Sequence, residues 1–115
     1  MTIQRIDSDR RMSEAVIHNG LVYLAGQVGT PGASVGEQTR EALDEIEALL
    51  VRAGSTRDHL LSAQVWLADM ADFAEMNAAW DSWIDGRSPP TRATGEVKLA
   101  DPAYRVEIIV VAAQA

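Results

Sequence analysis

The chain has 115 residues, of which 47% are hydrophobic, and a formal net charge of −7 at pH 7. This length and composition predict one globular domain, spanning residues 1–115, with a core of moderate size. The negative charge disfavours binding to nucleic acid, which needs clustered lysine and arginine. The absence of cysteine excludes disulfides, zinc–thiolate sites and thiol nucleophiles, and with only two histidines a metal site is not expected.

The beginning of the chain carries no basic stretch followed by an apolar run. No window of about 20 apolar residues occurs anywhere in the sequence, so no membrane-spanning segment is predicted. We therefore expect a cytoplasmic protein that does not interact with membranes.

The first 25 residues predict three short strands, at 2–6, 13–19 and 21–25. The second and third are joined by Asn19-Gly20, which is a strong signal for a β-hairpin. Since hairpin strands are antiparallel neighbours, these two strands should lie side by side in a sheet.

Two helices are predicted farther along the chain. Between residues 39 and 53 apolar side chains recur every three or four positions, and Gly54 supplies a C-terminal stop. A second helix is expected at 70–84, with Phe73, Met76, Trp80 and Trp83 or Ile84 toward the core. It should end at Gly86, because Pro89-Pro90 cannot continue a helix.

Further strands are predicted at 60–67, 91–98 and 104–112, which gives the order βββαβαββ and the α+β class. Both faces of the strands at 21–25 and 104–112 are apolar. Because two helices can cover only one face of such a sheet, the other face should meet a second subunit. We therefore expect a homo-oligomer.

Arg92 and Glu107 are the candidate functional residues. Arg92 follows Pro89-Pro90-Thr91 and carries a permanent charge with a planar donor fork that suits carboxylates. Glu107 is a carboxylate within a run of β-branched residues, and carboxylates are seldom buried without a reason. Together they suggest a small-molecule site, in which one group holds an anion and the other handles a proton or a water.

Other interpretations of these two residues stay open at this stage. Arg92 could be a structural arginine paired with Glu96 or Asp85, and Glu107 could be an ordinary charge on an edge strand or a partner of Arg105. If the strands at 91–98 and 104–112 formed a hairpin around Asp101-Pro102, Glu107 would lie opposite Glu96. Arg92 would then be roughly 13 Å away along the strand.

Four segments resemble the YjgF/Rid family of reactive intermediate imine deaminases, whose older name is the endoribonuclease L-PSP family. They are Leu21-Val22-Tyr23-Leu24-Ala25-Gly26-Gln27-Val28, Val65-Trp66-Leu67-Ala68-Asp69-Met70-Ala71-Asp72-Phe73 with Met76-Asn77, Pro90-Thr91-Arg92-Ala93, and Val106-Glu107-Ile108. The resemblance covers nearly the whole chain, and the last two segments, with their spacing intact, are the most specific part. Met12, Ala25 and Gly95 depart from the family pattern.

The resemblance implies a chorismate-mutase-like fold, with a mixed six-stranded sheet, two helices on one face and three subunits around a barrel. It also implies an activity without cofactors: hydrolysis of 2-imino and enamine acids to 2-oxo acids and ammonia, in clefts between subunits. In this family pattern Arg92 grips the substrate carboxylate, Glu107 positions or activates water, and Met12, Gly26 and Asn77 line the substrate site.

Two other functions stay open. One is a non-catalytic trimer that binds small carboxylates as a sensor or chaperone-like module. The other is the ribonuclease or translation-inhibitor role implied by the older family name, which the acidic composition makes the weakest of the three.

Overall fold

The computed structural model describes residues 2–115. Within this range the chain forms six strands and two helices in the predicted order βββαβαββ. The strands are β1 (Gln4–Ile6), β2 (Ala15–His18), β3 (Leu21–Leu24), β4 (Leu60–Leu67), β5 (Thr91–Glu96) and β6 (Val106–Ala113), and the helices are α1 (Val35–Arg52) and α2 (Phe73–Ile84). Short 3₁₀ turns, Arg57–His59 and Met70–Asp72, precede β4 and α2.

Local sequence signals explain the element boundaries. Asn19 and Gly20 both have positive φ, at 53° and 75°, as a tight hairpin turn between β2 and β3 requires. At the start of α1 the Ser34 hydroxyl accepts a hydrogen bond from the backbone N–H of Glu37. At its end Gly54 adopts φ 81°, which a glycine tolerates at no steric cost.

The six strands form one sheet in the order β1-β2-β3-β6-β4-β5. β4 and β5 run parallel, and all other neighbours are antiparallel. The hairpin considered for residues 91–98 and 104–112 is therefore wrong, because β4 lies between β5 and β6. The crossover from β4 through α2 to β5 is long enough to return the chain parallel to β4, which a tight turn cannot do.

One face of the sheet packs under both helices and forms the core. Alternate residues of β6 are at most 1% exposed, and they belong to one apolar cluster with side chains of α1 and α2. The opposite face, called the open face below, carries partly exposed side chains at Val16, Tyr23, Trp66, Ile109 and Val111. Tyr23 is 46% exposed, so this face carries a group of apolar side chains that nothing covers in the single chain.

A buried amide fixes the start of β6. Gln38 of α1 is fully buried, and its Nε2 donates to the carbonyl oxygens of Ala33 and Ala103, both at 3.0 Å. Its Oε1 accepts a hydrogen bond of 2.8 Å from the backbone N–H of Arg105. Both polar atoms of the buried Gln38 amide thus have hydrogen-bond partners. These bonds hold the segment that leads into Glu107 against α1.

Neither helix of residues 2–115 has the length and apolar character needed to cross a membrane.

Candidate functional site

Arg92 lies on the edge strand β5 and points toward α2. It pairs with Ala63 of β4, a residue only 3% exposed on the helix-covered face. The Cζ atom of its guanidinium lies 5.3 Å from the ring centroid of Trp80 and 6.0 Å from that of Phe73. The arginine therefore packs against two aromatic rings at the edge of the sheet, where it is half-buried.

Arg92 forms no ion pair within residues 2–115. The ion pairs of this part of the chain are made by Arg52, Arg57, Arg87 and Arg105. Glu96 instead accepts a hydrogen bond of 3.2 Å from the backbone N–H of Met70. The interpretation of Arg92 as a partner of Glu96 or Asp85 is therefore wrong, and no carboxylate of residues 2–115 occupies its N–H donors.

Asn77 lies on the same side of α2 as the rings that contact Arg92. Phe73, Asn77 and Trp80 follow one another at intervals of four and three residues, which places them on one helical face. Asn77 is half-buried. The structure thus brings Asn77 and Arg92 to the same edge of the domain.

Glu107 lies on the open face, directly against the main chain of Gly26. The segment after β3 is held to β6 by two backbone hydrogen bonds between Gln27 and Ile108, of 2.9 and 3.0 Å. A Cβ atom at position 26 would lie 2.0 Å from Oε2 of Glu107, which is less than any van der Waals contact. The absence of a side chain at Gly26 therefore makes the space that the Glu107 carboxyl group occupies.

Burial raises the pKa of Glu107 above its ordinary value of 4.5, because desolvation disfavours the charged form. Among the described residues 2–115, no charged group lowers this pKa again. Arg105, which the sequence offered as a partner, instead directs its Nε to Oδ2 of Asp72 at 3.0 Å, so that interpretation is wrong. A carboxyl group with a raised pKa and no fixed partner is suited to proton transfer.

Arg92 and Glu107 do not meet within one chain. Arg92 is in register with Ala63, whereas Glu107 is in register with Trp66 of the same strand. An odd offset of three residues places the two side chains on opposite faces of the sheet. Three residues along the strands and two strands across them separate the two Cα atoms by about 14 Å.

Met12 lies far from Arg92. It occupies the segment between β1 and β2, is 45% exposed, and its N–H donates to Oδ1 of Asp9 at 2.9 Å. β2 and β5 are separated by three strands, so Met12 and Arg92 lie toward opposite edges of the sheet. The same segment continues to Glu14, whose carbonyl oxygen accepts from Ala25 N–H. The segment that contains Met12 is thus tied to Ala25, the residue before Gly26.

Phe73 and Trp80 are site residues that the sequence did not reveal as such. Their spacing indicated only that they face the core. The signal that could have identified them is the βαβ arrangement, because a crossover helix packs over the two strands that it joins. The structure accordingly lays α2 over β5, with both rings beside Arg92.

A groove of 430 Å³ opens at the end of β4 and β5 but contains none of the candidate residues. Its lining consists of Ala68, Glu96, Val97, Lys98, Leu99, Asp101, Pro102 and Tyr104. Across residues 2–115, no group of three or more His, Cys, Asp or Glu side chains is arranged to hold a metal ion.

The model of the family described as endoribonuclease L-PSP matches residues 2–114. The chain belongs to this family. A RutC family protein of Haemophilus influenzae is 53% identical over 114 residues, covering 97% of this chain and 98% of that protein. The crystal structure of a YjgF family member from Neisseria meningitidis is 43% identical in sequence and matches with a TM-score of 0.95. The match covers 100% of this chain and 97% of the Neisseria chain. The family is confirmed, and so is the expected fold of the single chain, a mixed six-stranded sheet with two helices.

A more distant relative carries a name that specifies chemistry. The 2-iminobutanoate/2-iminopropanoate deaminase of Bos taurus is 33% identical over 109 residues, covering 89% of this chain and 79% of the bovine protein.

Proposed function

We propose that the protein is a homotrimeric deaminase, acting in the cytoplasm, that hydrolyses 2-imino and enamine acids to 2-oxo acids and ammonia. The observation that carries this proposal is the free guanidinium of Arg92, which lies at the sheet edge without a carboxylate partner in residues 2–115. The name of the bovine relative supports the choice of substrate. The candidate residues themselves need no cofactor for this reaction.

The proposed site is shared between two subunits. Arg92 and Glu107 occupy opposite faces of one sheet, so a single substrate can contact both only if they come from different chains. The open face that carries Glu107 is apolar and uncovered, and an apolar surface of this kind favours a partner. We propose that Arg92 and Asn77 of one subunit face Glu107, Gly26 and Met12 of its neighbour.

Arg92 would bind and orient the substrate. A 2-imino acid carries its carboxylate beside the electrophilic carbon of the C=N bond. A bidentate Arg–carboxylate pair fixes the plane of that carbon, and each hydrogen bond to a charged group contributes about 1.5–3 kcal/mol. Positioning of this kind supplies a large part of the acceleration for a reaction whose reactants are already unstable in water.

Glu107 would move the proton. As water attacks the imine carbon, the carboxylate accepts a proton from it and a C–O bond forms. Glu107 returns this proton to the nitrogen, which gives a carbinolamine. It then takes the proton of the new hydroxyl group and passes it to the nitrogen as the C=O bond forms and the C–N bond breaks, so that ammonia leaves and the 2-oxo acid remains. The raised pKa of Glu107 makes it a stronger base for the first step and keeps it a usable acid for the second, worth about 10²- to 10⁴-fold in rate.

A subunit-mixing experiment tests both the activity and the shared site. Hydrolysis of 2-iminobutanoate and 2-iminopropanoate is measured for wild type, Arg92→Ala and Glu107→Gln, and each variant alone should lose most of the rate. When the two variants are co-expressed in equal amounts, random assembly pairs an intact Arg92 with an intact Glu107 in about a quarter of the sites. Activity should therefore return to about a quarter of the wild-type value.

The outcomes separate the alternatives. If the mixture stays inactive although both variants assemble, the site lies within one chain and the shared arrangement is wrong. If wild type binds 2-oxobutanoate through Arg92 but hydrolyses neither imine, the protein is a binder of small carboxylates and the deaminase proposal fails. RNA binding that persists at moderate salt would support the ribonuclease role against the acidic composition.

A further inference from the structure

The guanidinium of Arg92 rests on a two-ring surface formed by Trp80 and Phe73. Trp80 is 6% exposed and belongs to the core, where it packs against Trp83 with ring centroids 5.8 Å apart. Phe73 is 39% exposed and stands at the rim, at the first position of α2. One ring is therefore fixed by the core, and the other closes the arrangement from the solvent side.

This arrangement differs from the usual way in which a protein fixes an arginine. The side chain has several rotatable bonds, and holding it in one place costs about 2 kcal/mol of conformational entropy. A carboxylate could hold it, but would occupy the same donor fork that a ligand needs. The faces of aromatic rings attract the cation through their quadrupole without accepting its in-plane N–H hydrogen bonds.

We infer that Phe73 and Trp80 are positioning residues of the anion site, which hold the Arg92 guanidinium in place with its donors free for a ligand carboxylate. The inference rests on the proposed role of Arg92 and adds two residues that act through it. It also defines the ligand group, a planar carboxylate that can meet the exposed donor fork in a bidentate manner.

Phe73 offers the cleaner test, because its partial exposure makes substitution less disruptive to the core than substitution of Trp80. Binding of 2-oxobutanoate, the stable product analogue, is measured by titration calorimetry. Phe73→Leu should weaken binding about threefold to tenfold, and Phe73→Tyr should retain it because the ring face remains. Met70→Leu is the matched control: Met70 is 40% exposed and close in sequence, and its side chain is not one of the two that stack on Arg92.

A double-mutant cycle separates positioning from a general structural effect. In an Arg92→Ala background, Phe73→Leu should cause no further loss of binding, since the residue that it positions is gone. Trp80→Phe keeps a ring beside the guanidinium and should weaken binding by less than Phe73→Leu, with any loss of folding stability recorded separately by thermal denaturation.

The results distinguish this inference from the proposed function. If wild type binds 2-oxobutanoate and Arg92→Ala binds it much more weakly, though still measurably, the anion site stands. If Phe73→Leu then binds as tightly as wild type, or weakens binding equally in both backgrounds, the positioning role is overturned while the anion site remains. If wild type shows no Arg92-dependent binding, the proposed function itself is overturned.

Discussion

Replacing Gly26 with alanine should disable Glu107 while leaving the fold intact. The added Cβ would lie 2.0 Å from Oε2, 2.8 Å from Cδ and 3.0 Å from Cγ of Glu107. Ordinary contact begins at 3.4 Å, so the carboxyl oxygen must move by about 1.4 Å. Misplacement of a reacting group by about 1 Å costs roughly 100-fold in rate, which corresponds to about 2.7 kcal/mol of lost transition-state stabilisation.

The stability cost should be much smaller than the catalytic cost. The atoms that must yield belong to the end of a flexible side chain, and Gly26 is not among the glycines with positive φ. A Gly→Ala change at a compatible backbone conformation stabilises by about 0.4–1 kcal/mol, because the unfolded chain loses freedom. This gain offsets the displacement of Glu107, and we expect the free energy of unfolding to change by less than about 1 kcal/mol.

The assay compares kcat/KM for 2-iminobutanoate with the melting temperature and the oligomeric state. Gly95→Ala is the matched control. Gly95 and Glu107 are both in register with Trp66 of β4, so they lie on the same face of the sheet, and a Cβ atom at position 95 would meet nothing within 4 Å. Full activity of Gly26→Ala would refute the role of Glu107 or its placement. Equal losses in both variants would show that the added methyl group acts through the backbone or the assembly.

Three further predictions concern stability and assembly. The raised pKa of Glu107 makes the folded state retain a proton that the unfolded state releases, so the stability of wild type should fall as pH rises from about 4.5 through that raised pKa. In thermal denaturation the melting temperature of Glu107→Gln should therefore rise relative to that of wild type over this pH range. A difference that stays constant with pH would contradict the assignment. Gln38→Leu leaves the Ala33 carbonyl oxygen and the Arg105 N–H without the amide that pairs with them, whereas Ala103 keeps a hydrogen bond from the Gly32 N–H. It should lower the free energy of unfolding by about 2 kcal/mol or more in urea titration, and a loss below about 1 kcal/mol would mean that water replaces the amide. Val111→Glu places a charge on the open face beside Tyr23 and should yield monomers in light scattering; an intact trimer, or a monomeric wild type, would show that this face is not the interface.

The sequence predicted the elements well because their signals are local. The Asn19-Gly20 turn, the spacing of apolar residues in α1 and the stop at Gly54 each depend on a few neighbouring residues, and all are found in the structure. Strand pairing depends instead on contacts between distant segments. The Asp101-Pro102 turn suggested a hairpin, but the crossover through α2 determines where β5 lies.

Sequence motifs identified the candidate site residues but not how the fold arranges them. Motifs identified Arg92 and Glu107, but the packing of Glu107 on Gly26 is visible only in the structure. The placement of Arg92 and Glu107 on the sheet was likewise not predicted. Their placement on opposite faces depends on register with β4, and a shift by one residue would reverse it, so no local pattern could reveal it. The partners of Arg105 and Arg92, an aspartate and two aromatic rings, likewise belong to segments that only the tertiary fold brings close.

The position of β5 at the margin of the sheet has a consequence for measurements of assembly. One side of this strand pairs with β4, and on its other side no strand of residues 2–115 protects the amide protons. In a free monomer those amides should exchange with deuterated solvent almost as fast as in a loop. Slow exchange in β5 would mean that another chain covers this edge of the sheet. The deuterium uptake of β5 therefore reports on subunit association next to Arg92.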